Sequence, residues 1–251
     1  MNREFLVLAR MPTCNTPRMR SALLLALILI GTAHADVSKT VVACQACHFS
    51  DSAPGPHLVG QREKYLAKQL AELKSGDRKN DFMTAIAKQL SDADIAELAA
   101  YWSKQPVGSD ATVPAAAAAL AKSRMTFPTD FPKGFVVYHS ETDDKHVTAR
   151  SYANAIAVAA AKAGKPMPNG SVIIVGNYGA DDKPISFSGM EIRAGWGKNV
   201  PAIVQNGDWS YGLWTAERAA KDVNQVMCLA CHKPAATTSY VFGYDKIKTG
   251  K

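Results

Sequence analysis

The sequence is short of several things, and each shortage removes a class of protein. It has no long run of basic residues with aromatics between them, although the formal net charge is +7, so nucleic acid is not implied. Its one sustained apolar run, within "RSALLLALILIGTAHA" at residues 20–35, is about ten residues long, roughly half of what a membrane-spanning helix needs. After residue 35 no cysteine stands alone: the five are Cys14 and two pairs, Cys44/Cys47 and Cys228/Cys231. Neither histidine nor methionine follows His232, and only 19 residues do.

What is there begins with that apolar run. Its basic start and the small residues Ala33-His34-Ala35 read as a secretory signal peptide, residues 1–35, cut near Ala35. An uncleaved anchor is the competing reading, and Met19 is an alternative start. Export points to the periplasm. The removed segment carries Arg3, Arg10, Arg18 and Arg20 against Glu4, so its loss takes +3 from +7 and leaves +4. The remaining 216 or so residues suffice for two small domains.

Paired cysteines in an exported chain usually form disulfides. Here a histidine follows each pair directly, giving "CQACH" and "CLACH". C-x-x-C-H is the attachment pattern of haem c. Two thioether links fix the porphyrin to a short turn, and the adjacent histidine lies beneath the iron as an axial ligand. A zinc site or a redox dithiol would not need a histidine after both pairs. The expectation is two covalently attached haem c groups, on Cys44, Cys47, Cys228 and Cys231, with His48 and His232 as iron ligands. Their four propionates would roughly cancel the remaining positive charge.

Residues 36–105 read as an all-α domain. Leu66, Leu70 and Leu73 mark a helix over 62–74 that Gly76 stops. Ser91 and Asp94 form a capping box before a second helix with Ile95, Leu98 and Trp102 on one face. A loop between them carries Met83, 35 residues beyond His48. The pieces "CQACH", "PGPHLVGQ", "YLAKQL", "GDR" and "LSDADIAELAAYW" resemble the class I cytochromes c, most of all the small bacterial c-four and c-553 types. The resemblance implies that His48 and Met83 ligate the iron, that the Pro56 carbonyl orients the His48 ring, and that Arg78 partners a propionate. It implies a low-spin electron-transfer haem closed to small ligands. Met83 as plain core packing is the competing reading, His57 reads as a surface side chain, and Tyr101 and Trp102 as core.

Residues 106–132 open with Pro and Gly and run through alanines. They read as a semi-rigid spacer holding a short helix over 115–124, capped by Thr112 and ended by Phe127-Pro128.

Residues 133–251 must enclose the second haem from upstream. "GFVVYHS" (134–140), "SVIIVGNY" (171–178) and "DWSYGLWT" (208–215) read as strands. In "SFSGMEIRAGW", Met190, Ile192, Ala194 and Trp196 alternate with Phe187, Glu191 and Arg193. Helices are expected near 150–163 and over 216–228. That is an α+β domain with an antiparallel sheet. "FPKGFVVYHS", "SYANAIAVAAAKAGKPMPNGSVIIV", "GDWSYGLW" and "CLACHKPAATTSYVF" resemble the cytochrome P-460 family and its relative cytochrome c-prime-beta. The resemblance implies a five-coordinate haem on His232, with a distal pocket built by the sheet. In P-460 enzymes a strand lysine is cross-linked to the porphyrin. Val175 stands at that position here, and Lys183 falls in a polar turn, so the cross-link is expected to be missing. Glu191 is the candidate catalytic carboxylate, with a solvated or ion-paired acid as the alternative. His139, His146 and Met190 compete for the sixth position against an open site.

The expected function is an exported di-haem cytochrome. Its His/Met haem would exchange electrons with a periplasmic redox partner, and its open haem would bind a small molecule such as nitric oxide or hydroxylamine. A pure electron carrier with two closed sites, or an oxidoreductase acting on small nitrogen compounds, are the alternatives. P-460 relatives suggest a homodimer through the second domain.

Overall fold

The described N-terminal part of the chain is helical, and side-chain or glycine chemistry sets several of its helix ends. α1 (Val37–His48) carries the first haem motif at its C-terminal end. α2 (Glu63–Ser75) buries Leu66 and Leu73 and stops at Gly76, whose φ of 92° is the left-handed region that glycine enters without a Cβ penalty. α3 (Asp81–Ala87) contains Met83, so this residue sits on a helix and not in the expected loop. The cause is local: the Asn80 side chain accepts the Met83 N–H at 2.9 Å and caps the turn. α4 (Asp92–Ser103) opens with the expected reciprocal cap, Ser91 Oγ accepting from Asp94 N at 3.0 Å and Asp94 Oδ2 from Ser91 N at 2.7 Å. It buries Ile95, Leu98 and Trp102.

This computed structural model describes residues 37–49, 55–106 and 114–249. The signal segment, Cys14 and the Thr112 cap lie outside them.

The segment expected to be a spacer is packed. α5 (Ala115–Ala121) is shorter than the expected 115–124 and buries Ala117 and Leu120. Its small side chains let it lie against α1. Beyond it, Phe127 meets Phe131, Phe187 and Trp214 edge-to-face with ring centres 5.1–5.4 Å apart, a favoured aromatic geometry.

The rest is a six-stranded antiparallel sheet with strands in chain order. β1 (Phe135–Thr142) and β2 (Thr148–Asn154) form the first hairpin, α6 (Ala155–Lys162) follows, and then come β3 (Val172–Tyr178), β4 (Pro184–Ile192), β5 (Trp209–Thr215) and the two-residue β6 (Ala220–Lys221). Two expected helices are corrected. Residues 150–154 are strand, because β1 and β3 pair with β2 on both sides. Helix starts only after Asn154, whose side chain accepts from Ala157 N and Val172 N and donates to Gly170 O. Residues 216–224 hold a turn and β6. The helix bearing the second haem motif, α7 (Gln225–His232), is short. The alternation read through residue 196 ends with β4 at Ile192; Trp196 leaves the strand and packs beside the aromatic cluster.

The two faces of the sheet differ. One carries Tyr152, Ile174, Phe187 and Trp214, sealed by Met125 and Phe131. On the other, Ser151, Val175, Ser188 and Leu213 stand in one cross-strand row, with Ile173, Met190 and Tyr211 in the next. This second face looks toward α7. A helix over Tyr244–Thr249, α8, closes that side against β1.

The start of α7 ties sheet and helices together. Asn224 caps α7 by accepting from Val226 N, and donates to Ala46 O at 2.6 Å in α1. Gln225, buried, donates to Leu120 O at 3.1 Å and Lys122 O at 2.7 Å and accepts from Ser210 Oγ at 2.9 Å. Replacing Gln225 with Leu strands two carbonyls and a hydroxyl away from water, and should cost about 2–4 kcal/mol. Denaturant unfolding of the haem-loaded protein checks this; a change below about 0.5 kcal/mol would mean that the junction carries little stability.

Candidate haem sites

The first site is built at the C-terminal end of α1, where helical spacing brings Cys44, Cys47 and His48 to one wall of a cavity. Met83, Asn80 and Ile86 come from α3 and its cap to line the same space. The space has two lobes, of about 170 Å³ and about 120 Å³, each bounded by Cys44, His48, Pro56 and Met83. His48 is buried, and its Nδ1 donates to Pro56 O at 2.7 Å. A carbonyl can only accept, so the proton is on Nδ1 and the Nε2 lone pair is left for a metal. Burial holds the ring below the usual imidazole pKa, which keeps it neutral as a ligand must be. Gly55 lies against the ring: a Cβ there would fall 2.5 Å from His48 Cε1. Arg78 lines the deeper lobe and donates to Gln69.

The second cavity, of about 700 Å³, lies between α7 and the sheet and is lined by Cys228, Cys231 and His232. Here too the ring is fixed by a carbonyl eight residues on, His232 Nδ1 donating to Tyr240 O at 2.7 Å. Burial lowers its pKa as well. The carbonyl is presented by two successive left-handed residues, Ser239 (φ 55°) and Tyr240 (φ 64°). Such backbone persists only where its surroundings hold it. Trp209 Nε1 donates to Ser239 O at 2.9 Å, and Ser239 Oγ accepts from Met167 N at 3.0 Å. The Tyr211 and Phe242 rings flank His232 with centres 4.8 and 4.9 Å away.

The cysteine environment suits neutral sulfur. Burial pushes the Cys44 thiol up to about 12 and that of Cys228 to about 11, and raises Cys47 too. Among the described residues no neighbouring cation acts on these thiols to favour a reactive thiolate. Among the described residues no group of three or more His, Cys, Asp or Glu is arranged to hold a metal ion. A porphyrin carried on two thioethers with a neutral imidazole beneath it fits both sets of residues.

Other sequence candidates separate cleanly. Val175 lines the second cavity, while Lys183 is exposed and paired with Asp181 at 3.0 Å. Glu191 does not line the cavity. Its neighbour in the strand, Met190, does. Glu191 projects from the other face, 7% exposed, where it accepts from Arg193 Nε at 2.6 Å. The physical reason is the period of two along β4. His139 lines the cavity, with its Nε2 2.8 Å from Lys246 Nζ and 3.3 Å from Glu141 Oε2. His146 is exposed in the β1–β2 turn. His57 Nε2 meets Phe49 O at 3.2 Å. Sequence reasoning missed the Tyr240 carbonyl, Tyr211, Phe242 and Lys246. Only the repeat of the eight-residue interval seen at His48 could have pointed to Tyr240.

Two family models match separate segments of the chain. Residues 35–101 match the family described as cytochrome C oxidase, cbb3-type, subunit III, and residues 128–243 match Cytochrome P460. Cytochrome c-554(548) of Halomonas halodenitrificans is 44% identical over 69 residues, 25% of this chain and 83% of that protein. Cytochrome c4 of Pseudomonas aeruginosa is 43% identical over 94 residues, 34% of this chain and 46% of the relative. The thiosulfate dehydrogenase electron acceptor of Thiomonas intermedia is 41% identical over 98 residues, 37% and 45% of the two chains. The chain thus spans a little under half the length of these last two relatives. With its two haem motifs on the two matched segments, the chain belongs to the c-type cytochromes, joining a cytochrome c domain to a cytochrome P460 domain.

Proposed function

We propose that this is an exported di-haem cytochrome with unlike sites: an electron-transfer haem held by His48 and Met83, and a haem on His232 whose outer side is open to nitric oxide or hydroxylamine. Cys44 and Cys47, and Cys228 and Cys231, form the thioethers. Bound haem supplies one-electron chemistry. The chain supplies the ligands and their orientation: Pro56 and Tyr240 hold the two imidazoles by their carbonyls, and Arg78 meets a propionate.

One contrast carries the proposal. Met83 lines the first cavity together with His48 and comes from a separate helix, whereas among the described residues the methionines lining the second, Met190 and Met227, belong to the sheet and to the motif helix itself. The Nε2 of His139 is engaged by Lys246, and Met190 is packed between Ile173 and Tyr211 in the sheet. Val175, in place of the family's lysine, argues for a porphyrin without a protein cross-link. The position of Glu191 speaks against a proton-abstracting role and so against hydroxylamine turnover. The relative named as an electron acceptor supports an electron-accepting role for the first domain, with a periplasmic donor or acceptor as partner. Pairing of two copies through the second domain is part of the same proposal.

Electron paramagnetic resonance of the oxidised protein should give one low-spin and one high-spin signal, and nitric oxide should change only the second. Two low-spin signals indifferent to the gas would favour a carrier with two closed sites. Replacing Met83 with Leu should convert the first haem to high spin and lower its reduction potential, since a thioether raises it, while leaving the second signal as it was. An unaltered low-spin first haem would remove Met83 from the ligand set.

A further inference from the structure

The two cavities share a wall. α7 stands between them: Val226 and Ala230, one turn apart, line the first cavity, while Cys228, Cys231 and His232 line the second. Met227 lines both, and so does Phe82, the residue before Met83. α3 and α7 pack together, which is what brings Phe82 to Met227's side of the wall. Phe82 is 39% exposed, unusually open for a phenylalanine. Its ring lies on the rim of both cavities. The wall is short of other material. A helix with its side chains is about 10–12 Å across, and the small Ala230 thins it on the first side. Asn224 fixes the wall at its start, with its Nδ2 2.6 Å from Ala46 O and 3.5 Å from Cys47 Sγ.

We infer that Phe82 and Met227 are bridging residues: they touch both haems and form the packed path for an electron between the two sites. This rests on the di-haem assignment above and adds to it the route. The transfer is of one electron, so that one haem iron is oxidised by one unit as the other is reduced by one. No bond forms or breaks, and no proton or further reactant is needed. An aromatic ring and a polarizable thioether fill the gap between the groups without polar atoms. Truncating them leaves a void in a close-packed partition, and contact across it is lost.

The test is flash photoreduction of the haem-loaded, fully oxidised protein by a soluble photosensitiser, following redistribution of the injected electron at wavelengths where the two haems differ. In the unaltered protein the redistribution should be first-order and independent of protein concentration. In the double variant Phe82→Ala, Met227→Ala it should slow by about tenfold or more, as expected when a packed contact becomes a gap. The spin state of each haem in the same samples reports whether its axial ligands are kept. If the double variant takes up haem poorly, Phe82→Leu and Met227→Leu, which keep most of the packing, are measured instead and should each slow the phase by about threefold. A rate that does not respond to either set overturns the bridge, and so does redistribution that scales with protein concentration. The spin state of the second haem in the same samples reports separately on the open site. A low-spin second haem with a variant-sensitive rate would sink the open site and keep the bridge; a high-spin second haem with an insensitive rate would do the reverse.

Discussion

Both candidate haem sites depend on a single hydrogen bond from an imidazole Nδ1 to a backbone carbonyl eight residues further on, Pro56 for His48 and Tyr240 for His232. That bond fixes the tautomer, the ring plane and the direction of the remaining lone pair. Each carbonyl is itself held by demanding local structure. At the first site Gly55 must lack a side chain, because the His48 ring and the Cys47 carbonyl occupy the space a Cβ would take. At the second, Ser239 and Tyr240 adopt left-handed backbone that Trp209 and Met167 lock in place. The same requirement is met on unlike scaffolds, one at the non-helical Gly55-Pro56 among helices and the other at two left-handed residues behind a sheet.

A second constraint follows from the position of α7. The helix is short, carries the haem motif over most of its length, and begins at two side chains that reach into three other elements. Asn224 bonds to α1, and Gln225 joins the linker to β5 through Ser210. Buried amides of this kind are costly when half satisfied and specify one arrangement when complete. They make the spacing between the two cavities a property of the fold, which a flexible connection between independent domains would leave undefined. Residues 114–131 contribute to the same effect by burying Ala117, Leu120, Met125 and Phe131.

Much of this was legible in the sequence. The C-x-x-C-H motifs, the stop at Gly76, the capping box at Ser91 and the strands near 134–140, 171–178 and 208–215 all carry strong local signals. What failed was decided by partners distant in sequence. Residues 150–154 look helical beside an alanine run, yet β1 and β3 claim them as strand. The alanine-rich stretch 115–121 looks like a spacer, yet its small side chains allow close packing on α1. Glu191 looked like a candidate acid because strand direction relative to the cavity cannot be read from one sequence. The Tyr240 carbonyl is invisible for a simpler reason: every residue has one, and only the backbone turn makes this one special.

The central proposal is that the two irons have different coordination, because Met83 lines the first cavity with His48 while, among the described residues lining the second, His139 is engaged by Lys246 and the methionines lie on the sheet and the motif helix. Resonance Raman spectroscopy of the fully reduced protein reads coordination number directly from the porphyrin marker bands. Superposed six-coordinate low-spin and five-coordinate high-spin bands in equal proportion are the result this account requires. A spectrum holding six-coordinate low-spin bands alone would contradict it.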